Sequence, residues 1–374
     1  MAKQERERRR QAQRARRAAG AAAEVADRAD RGVAALVEGI GQFAAIRGKR
    51  VKSFDLEGFA SLRDSFIGRG YRWPAWCFLP APLVGAGLGE ELAVDVNPAL
   101  ISPATMLACL AAAWTPGRIA ARFDDDVAQA LMDTPMEASI PTEVLQRLPA
   151  WGLYVDCPCL GAEAGFFVTL DAGTVTGPGG QGYAELDELL VAVVRGGDDG
   201  PPLVISSLWL RPAATIGESL AEQAAQTQRL GPNFGEAGDE EWVAAIGMGR
   251  AQATARILSL VLYLCSDDSD VTRREVPTAA SSRRARGGAE TVVMSAGFRL
   301  GTALRLAVAE HASVAGDGTG HRVAPHLRRA HWHHFWADSE AQDDRHLRLH
   351  WVSPIRVNAD LPDELMTVVR PADP

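Results

Sequence analysis

The histidines of this 374-residue chain are concentrated near its carboxyl end. All eight lie between His311 and His350, and the stretch 328–336 combines three of them with two arginines and two tryptophans. Imidazoles exchange protons near neutral pH, guanidinium groups bind phosphate and carboxylate, and indole rings offer large amphipathic contact surfaces. The segments 323–336 and 345–358 are therefore the first place to look for a function.

Three kinds of chemistry use such side chains. Metal binding needs a ligand spacing that is absent here, since the chain has no HExxH and no paired CxxC, and we predict neither a metal site nor a cofactor. Acid–base cleavage of a phosphodiester needs two imidazoles and a cation. Recognition of RNA or a peptide uses arginine forks and aromatic planes.

Each chemistry has its own candidate residues. The candidates for acid and base in catalysis are His331, His333, His346 and His350. The candidates for a binding surface are Arg328, Arg329, His331, Trp332, His333, His334, Trp336 and Arg348. The structural alternative is that the tryptophans belong to the core and the histidines and arginines merely cover its solvated face.

The pattern of these segments predicts a β-hairpin. From His346 onward, apolar and polar residues alternate strictly as far as Trp351, which is the period of a half-buried strand, and Pro354 marks its end. Trp332 and Trp336 share a face in either a strand or a helix, so they are expected to pack together. If 331–336 is extended and 337–344 closes a hairpin, His331 and His333 lie on one face with the histidines and arginine of the second strand.

The same segments resemble a known family. PHLRRAHWHHFW followed by RLHWVSPIRVN is similar to the carboxy-terminal signature of a type V-A anti-CRISPR family. In the same order, AAWTPGRIAARFDDDVAQ (113–129), LPAWGLYVD (148–156) and GFRLGTALR (297–305) resemble upstream elements of that family. The likeness extends from about Trp114 to Asn358, and the last motif is the most specific.

The resemblance implies a protein that suppresses expression of a type V effector nuclease. Its implied partners are a nascent polypeptide and its mRNA, or the translating ribosome, and we favour a binding protein over an enzyme. A ribonuclease using the carboxy-terminal histidines stays open, as does a housekeeping relative that binds another nascent chain or RNA. The alanine- and arginine-rich composition is typical of a high-GC bacterium, its phage or its plasmid.

Charge is unevenly distributed along the chain. The first 17 residues hold eight basic residues against Glu5 and Glu7, a local charge of +6. Since the net charge is −8, the remainder carries −14. A basic arm on an acidic body binds nucleic acid or is a solvated helical extension, and we favour the extension.

Composition bounds the class of protein. A hydrophobic content of 47% is ordinary for a globular protein, and no apolar run approaches the ~20 residues of a membrane span. The alanine-rich stretch behind the basic arm is interrupted by charges and is not a signal-peptide core. The five cysteines are scattered, and Cys157-Pro-Cys159 has the wrong spacing for a CxxC motif. We predict a cytoplasmic protein with free thiols and no membrane partner.

Helices and strands are mixed without a βαβ rhythm, which predicts an α+β fold with a mixed, largely antiparallel sheet and packed helices. We divide the chain into a basic arm and helix (1–50) and one α+β domain (51–374), with a mobile loop at 266–290 and the carboxy-terminal strands within 321–358.

Helices are expected at 21–46, 103–114, 215–230 and 239–265. Strands are expected at 152–157 (the first), 165–170 and 203–210, whereas 189–194 is a strand or a helix. Residues 174–182 are expected to form a hairpin or loop, and the proline-rich stretch 71–83 to be irregular.

Overall fold

The computed structural model describes residues 2–46, 56–92, 103–160, 164–180, 182–184, 187–194, 203–230, 250–277, 290–314, 326–337 and 346–357. The helices are α1 (Ala2–Ile46), α2 (Leu56–Gly68), α3 (Ala81–Leu92), α4 (Pro103–Gly117), α5 (Asp125–Met132), α6 (Ile216–Leu230), α7 (Arg250–Cys265) and α8 (Phe298–Val314). Within these ranges, no helix combines the length and the apolar character that crossing a membrane requires.

Thirteen strands are described. They are β1 (Ile119–Phe123), β2 (Gly152–Asp156), β3 (Gly165–Asp171), β4 (Thr174–Thr176), β5 (Gly182–Ala184), β6 (Asp187–Val194), β7 (Leu203–Leu210), β8 (Val271–Pro277), β9 (Glu290–Ala296), β10 (His326–Arg328), β11 (His331–Ala337), β12 (His346–Val352) and β13 (Ile355–Val357).

Seven of these strands form one mixed sheet in the order β7-β6-β3-β2-β1-β9-β8. Strand β1 is parallel to both of its neighbours, β2 and β9, and the other four pairings are antiparallel. The pairs β4–β5, β10–β13 and β11–β12 form separate two-stranded sheets. The predicted α+β class with a mixed, largely antiparallel sheet is confirmed.

The sheet is covered on both faces, so every residue of the central strands β2 and β3 is buried. Successive residues of β2 and β3 point to opposite sides. Leu153 and Phe166 belong to one core with α5, α7 and the β11–β12 hairpin. Tyr154 and Phe167 belong to the other core, with α1 and α4. The hairpin that carries the histidines therefore packs on one defined side of the sheet.

Helix α1 has two halves with different environments. Side chains 4–18 are all exposed, whereas Val25, Ala29 and Leu36 are fully buried in the second core. Two ion pairs reinforce the buried half, Arg28 with Asp156 at 2.7 Å and a second between Arg118 and Asp30. The predicted helical arm is thus continuous with a helix that packs on the sheet.

The structure revises some local predictions and decides others that the sequence left open. The first strand is β1 rather than the strand at 152, and β8 occupies part of the stretch 266–290 that was predicted as a loop. The segment 189–194, predicted as a strand or a helix, is a strand, and within the region predicted as a hairpin or loop β4 pairs antiparallel with β5. Helix α3 starts inside the proline-rich stretch, with Pro82 in its first turn. The predicted regions 239–249, 278–289 and 338–345 lie outside the described residues.

The predicted start of α6 is confirmed in detail. The backbone N–H of Glu218 donates to the Thr215 hydroxyl at 3.2 Å, and the Glu218 carboxylate accepts from the Thr215 backbone N–H at 2.8 Å. This reciprocal arrangement is a capping box, and it satisfies donors that the first helical turn would otherwise leave unpaired.

Candidate functional site

The hairpin of β11 and β12 brings the histidine-rich segments together. The strands pair antiparallel with Trp332 opposite Trp351, His333 opposite His350 and Trp336 opposite Leu347. Because directly opposed residues of an antiparallel pair point to the same face, this register sorts the two strands into two surfaces. In this register His331 and His333 share one face with the polar residues of β12, as predicted.

The inner face of the hairpin belongs to the core. Trp332, Leu347, Leu349 and Trp351 are each at most 5% exposed. The Trp351 ring meets Tyr263 of α7 edge-on with 5.9 Å between centroids, and its indole N–H donates to the Thr134 hydroxyl at 3.0 Å. Two of the three tryptophans on this hairpin are therefore structural, as expected if the tryptophans belong to the core.

We call the opposite surface, formed by His331, His333, Phe335, His346, Arg348 and His350, the outer face. Phe335 stacks on His350 with 5.5 Å between ring centroids and an interplanar angle of 19°, and it lies 5.3 Å from His333. Phe335 is 42% exposed. The outer face is thus a layer of aromatic and imidazole rings open to solvent.

The far end of β11 extends beyond the packed body. Trp336 lies on the same face as Trp332, yet it is 50% exposed while Trp332 is buried. His334, between them, is half-buried. Hydrogen bonds from Ser139 lower the pKa of the nearby Glu137 carboxyl, and His334 adds a smaller effect in the same direction. An exposed tryptophan at a strand end is available for binding.

Two neighbouring aspartates after α7 hold the hairpin from the side of β12. Asp267 accepts the Leu349 backbone N–H at 2.9 Å, and the Asp267 N–H donates back to the Leu349 carbonyl at 3.1 Å. Its carboxylate also pairs with Arg147 at 3.2 Å and with Arg348 at 3.1 Å. Asp268 lies 3.2 Å from Nδ1 of His350. Sequence reasoning missed both residues, and the only local signal was the acidic cluster SDDSD at 266–270.

The remaining predicted site residues lie beside the hairpin. Arg328 is in β10, which pairs with β13 and not with β11. Arg329 is exposed in the two-residue link, and its carbonyl oxygen is 3.4 Å from Nδ1 of His331. Across the part of the chain that the structure describes, no three His, Cys, Asp or Glu side chains converge as metal ligands.

The upstream motif LPAWGLYVD serves the fold. The Trp151 indole N–H donates to the Leu170 carbonyl at 2.6 Å, and Tyr154 is buried against Phe167. Asp156, whose side chain is fully buried, receives both Nε and Nη2 of Arg28 at 2.7 and 2.8 Å. This motif joins β2 to its neighbours and to α1.

The motif GFRLGTALR at 297–305 also serves the fold, through its arginines. Arg299 donates to Asp270 at 2.6 Å, and Arg305 donates to Asp126 at 2.5 Å and to Asp124 at 3.1 Å. Asp124 is the N-cap of α5, where its carboxylate accepts the Asp126 backbone N–H. Asp124 and Asp126 are therefore explained by capping and by Arg305.

Comparison with known proteins finds a family match over the part of the chain that holds the hairpin and the motifs at 148–156 and 297–305. The model of the AcrVA2-like family, described as the anti-CRISPR type V subtype A2 family, matches residues 121–359. The crystal structure of AcrVA2 resembles this chain with a TM-score of 0.48 and 19% identity, covering 81% of this chain and 93% of that one. No curated protein matches the sequence. Because the family model spans more than half of the sequence and includes the histidine-rich hairpin, the chain belongs to the AcrVA2-like family of type V-A anti-CRISPR proteins.

Proposed function

We propose that this protein suppresses a type V effector nuclease in the cytoplasm by binding the nascent effector chain and causing loss of its mRNA. The hairpin of β11 and β12 is the recognition element in this proposal. The observation that carries it is the exposed ring layer of the outer face, together with the half-exposed Trp336 at the end of β11.

The backbone of β11 supports binding of an extended peptide. Both backbone groups of Leu349 bond to Asp267, so they point away from β11. In an antiparallel ladder this makes the opposed pair Leu349–His334 a non-hydrogen-bonded pair, so the backbone groups of His334 also point outward from the hairpin. Because a strand repeats every two residues, the backbone groups of Trp332 and Trp336 point outward as well.

This edge of β11 is open within the described residues, where β11 and β12 form a sheet of two strands. An extended peptide adds to such an edge through main-chain hydrogen bonds, and side-chain pockets then give specificity. Phe335 and Trp336 supply aromatic surface on the two faces beside this edge. The partner in this proposal is therefore an extended segment with apolar side chains.

The test uses two tryptophans of similar exposure. Trp336 is 50% exposed on the hairpin, and Trp76 is 46% exposed in the link before α3. We expect Trp336→Ala to abolish the drop in effector mRNA when the protein is co-expressed with a type V-A effector, and to end recovery of that message with the tagged protein. Trp76→Ala is expected to behave as the wild type. Equal activity of both variants would remove the hairpin from the recognition step.

A second candidate function is a ribonuclease, and one contact favours it. Asp268 orients the His350 ring through Nδ1, which leaves Nε2 for proton transfer, and His333 lies directly opposite. A carboxylate that fixes one ring nitrogen is a common device in general acid–base catalysis. In this case His350→Ala would stop cleavage of a labelled RNA by the purified protein and leave its affinity for that RNA intact. Retention of cleavage in that variant would eliminate this candidate.

A further inference from the structure

The exposed half of α1 presents its arginines in an ordered array. Arg6, Arg10, Arg14 and Arg17 are spaced by four, four and three residues, so they fall on one face of the helix. With a rise of 1.5 Å per residue, they form a row about 16 Å long with steps of about 6 Å or less. We call these four residues the arginine row.

From this array we infer that α1 binds the phosphate backbone of RNA through the arginine row. The inference concerns a surface separate from the hairpin and does not depend on the function proposed for it. Guanidinium groups suit this role because each presents several donors in a fixed fork that matches phosphate oxygens.

The arginine row has no ion-pair partner among the described residues, and all four side chains are exposed. Arg9, outside the row, instead pairs with Glu5 at 2.8 Å. Glu5 lies on the opposite side of the helix, and Glu7 borders the row at one edge. Within the part of the chain that the structure describes, no carboxylate therefore occupies these four guanidinium groups.

The arm is preorganised by the half of α1 that is buried. A short isolated helix in water is marginal because nucleation is unfavourable. Here the helix is already formed where Val25, Ala29 and Leu36 pack in the core and Arg28 pairs with Asp156. The helix then extends toward the amino terminus one residue at a time without a new nucleation step. This keeps the arginine row in helical alignment.

Charge and composition select RNA over a lipid surface. Residues 4–20 contain no Leu, Ile, Val, Phe, Met or Trp, so the helix has no large apolar face to insert into a bilayer. The rest of the chain carries −14, which repels a polyanion from the body and leaves the arm as its point of attachment.

Two charge-matched variants of the full chain test the inference. The first, Arg6→Gln/Arg10→Gln/Arg14→Gln, removes three members of the row. The second, Arg8→Gln/Arg9→Gln/Arg16→Gln, removes the same charge from the other side of the helix. Glutamine has nearly the helix propensity of arginine, so circular dichroism is expected to be unchanged in both.

Binding of a fluorescein-labelled oligouridine is followed by anisotropy over a series of salt concentrations. Each phosphate contact contributes about 0.7 to the slope of log K against log salt for a single strand, so the row variant is expected to lower that slope by about 2. Its affinity at low salt is expected to fall on the order of tenfold or more. The control variant is expected to stay close to the wild type.

Three results would overturn the inference. Equal losses in both variants would mean that only net charge matters, and the row has no role as a site. Absence of wild-type binding to the oligouridine would remove RNA as the ligand. Binding to phosphatidylserine vesicles that depends on the row, without binding to RNA, would assign the arm to a membrane. Trp336→Ala, which tests the hairpin, is expected to bind the oligouridine normally.

Discussion

Removal of the Asp267 carboxylate is expected to loosen the hairpin from the body. This side chain is 18% exposed, and it accepts the Leu349 backbone N–H and pairs with Arg147 and Arg348. In Asp267→Ala the Leu349 N–H loses its partner beside a strand whose inner face is buried. Arg348 loses the contact that fixes it on the outer face.

The magnitude follows from these contacts. A hydrogen bond to a charged group contributes about 1.5–3 kcal/mol. The two ion pairs involve arginines that are 33% and 41% exposed, so solvent screening limits each to about 0.5 kcal/mol. Together these contributions give an expected loss of about 2.5–4 kcal/mol. For a chain of this size, that lowers the midpoint of thermal unfolding by about 3–5 °C.

The adjacent residue provides the control. Asp268 is 46% exposed, and the ion-pair contact described for it is with His350, so Asp268→Ala is expected to cost at most about 0.5 kcal/mol. Asp267→Asn keeps one oxygen for the Leu349 N–H but loses the charge, and it is expected to fall between the two.

Scanning calorimetry measures the midpoints, and amide hydrogen exchange reports directly on Leu349. In Asp267→Ala, exchange of the Leu349 amide is expected to accelerate, while amides in the central strand β3 keep their protection relative to global unfolding. If Asp267→Ala and Asp268→Ala unfold at the same temperature and Leu349 exchanges at its wild-type rate, Asp267 does not anchor the hairpin.

Three further predictions concern other parts of the molecule. Arg28→Gln leaves the fully buried Asp156 carboxylate unpaired and is expected to cost about 3–5 kcal/mol in urea unfolding, with partial recovery on adding Asp156→Asn. Gly301→Ala would place a methyl group 2.1 Å from the carboxylate that caps α5, and a loss of about 1–3 kcal/mol is expected by the same measurement. The hydrogen bond with the Cys157 thiol lowers the pKa of the exposed Cys159. Iodoacetamide is therefore expected to label Cys159 first, with a pH midpoint below that of free cysteine that moves upward in Cys157→Ala.

The hairpin was predictable because its determinants are local. Alternation of Leu347, Leu349 and Trp351 with polar residues fixes which face is buried, and a slip by one residue would expose all three. With Trp332 opposite Trp351, His331 and His333 must share the other face with His346 and His350, whereas His334 lies on the face of Trp332. Trp332 and Trp336 share a face, as predicted, but they differ in burial because the strand extends beyond the body that covers its first half.

Strand β8 was not predictable from periodicity because it lies at the edge of the sheet. Residues 272–275 are exposed, and their sequence TRRE carries three charges. Charged residues on an edge strand are a common protection against pairing with other chains, but they also remove the apolar alternation that marks a strand. The same composition is typical of a loop, which is how the sequence was interpreted.

The residues of the site that sequence analysis missed were unpredictable for a different reason. Asp267 reaches Leu349 across 82 residues of sequence and Arg147 across 120. No spacing rule relates residues at such separations without the fold. Parallel pairing of β1 with β2 and β9 is equally non-local, and β1 itself is only five residues long.

The outer face differs from the other family-like motifs in the structural role of its side chains. In the motifs at 148–156 and 297–305, the tryptophan, the aspartate and the arginines make core contacts, caps and ion pairs. In the hairpin, core contacts are already made by the inner face, and the two-residue period places His333 and Phe335 outward whatever their identity. Their contacts are with each other and with His350. Substitutions there are expected to change stability by about 0.5 kcal/mol or less, as at other exposed positions, so any loss of activity reports on recognition or catalysis rather than on folding.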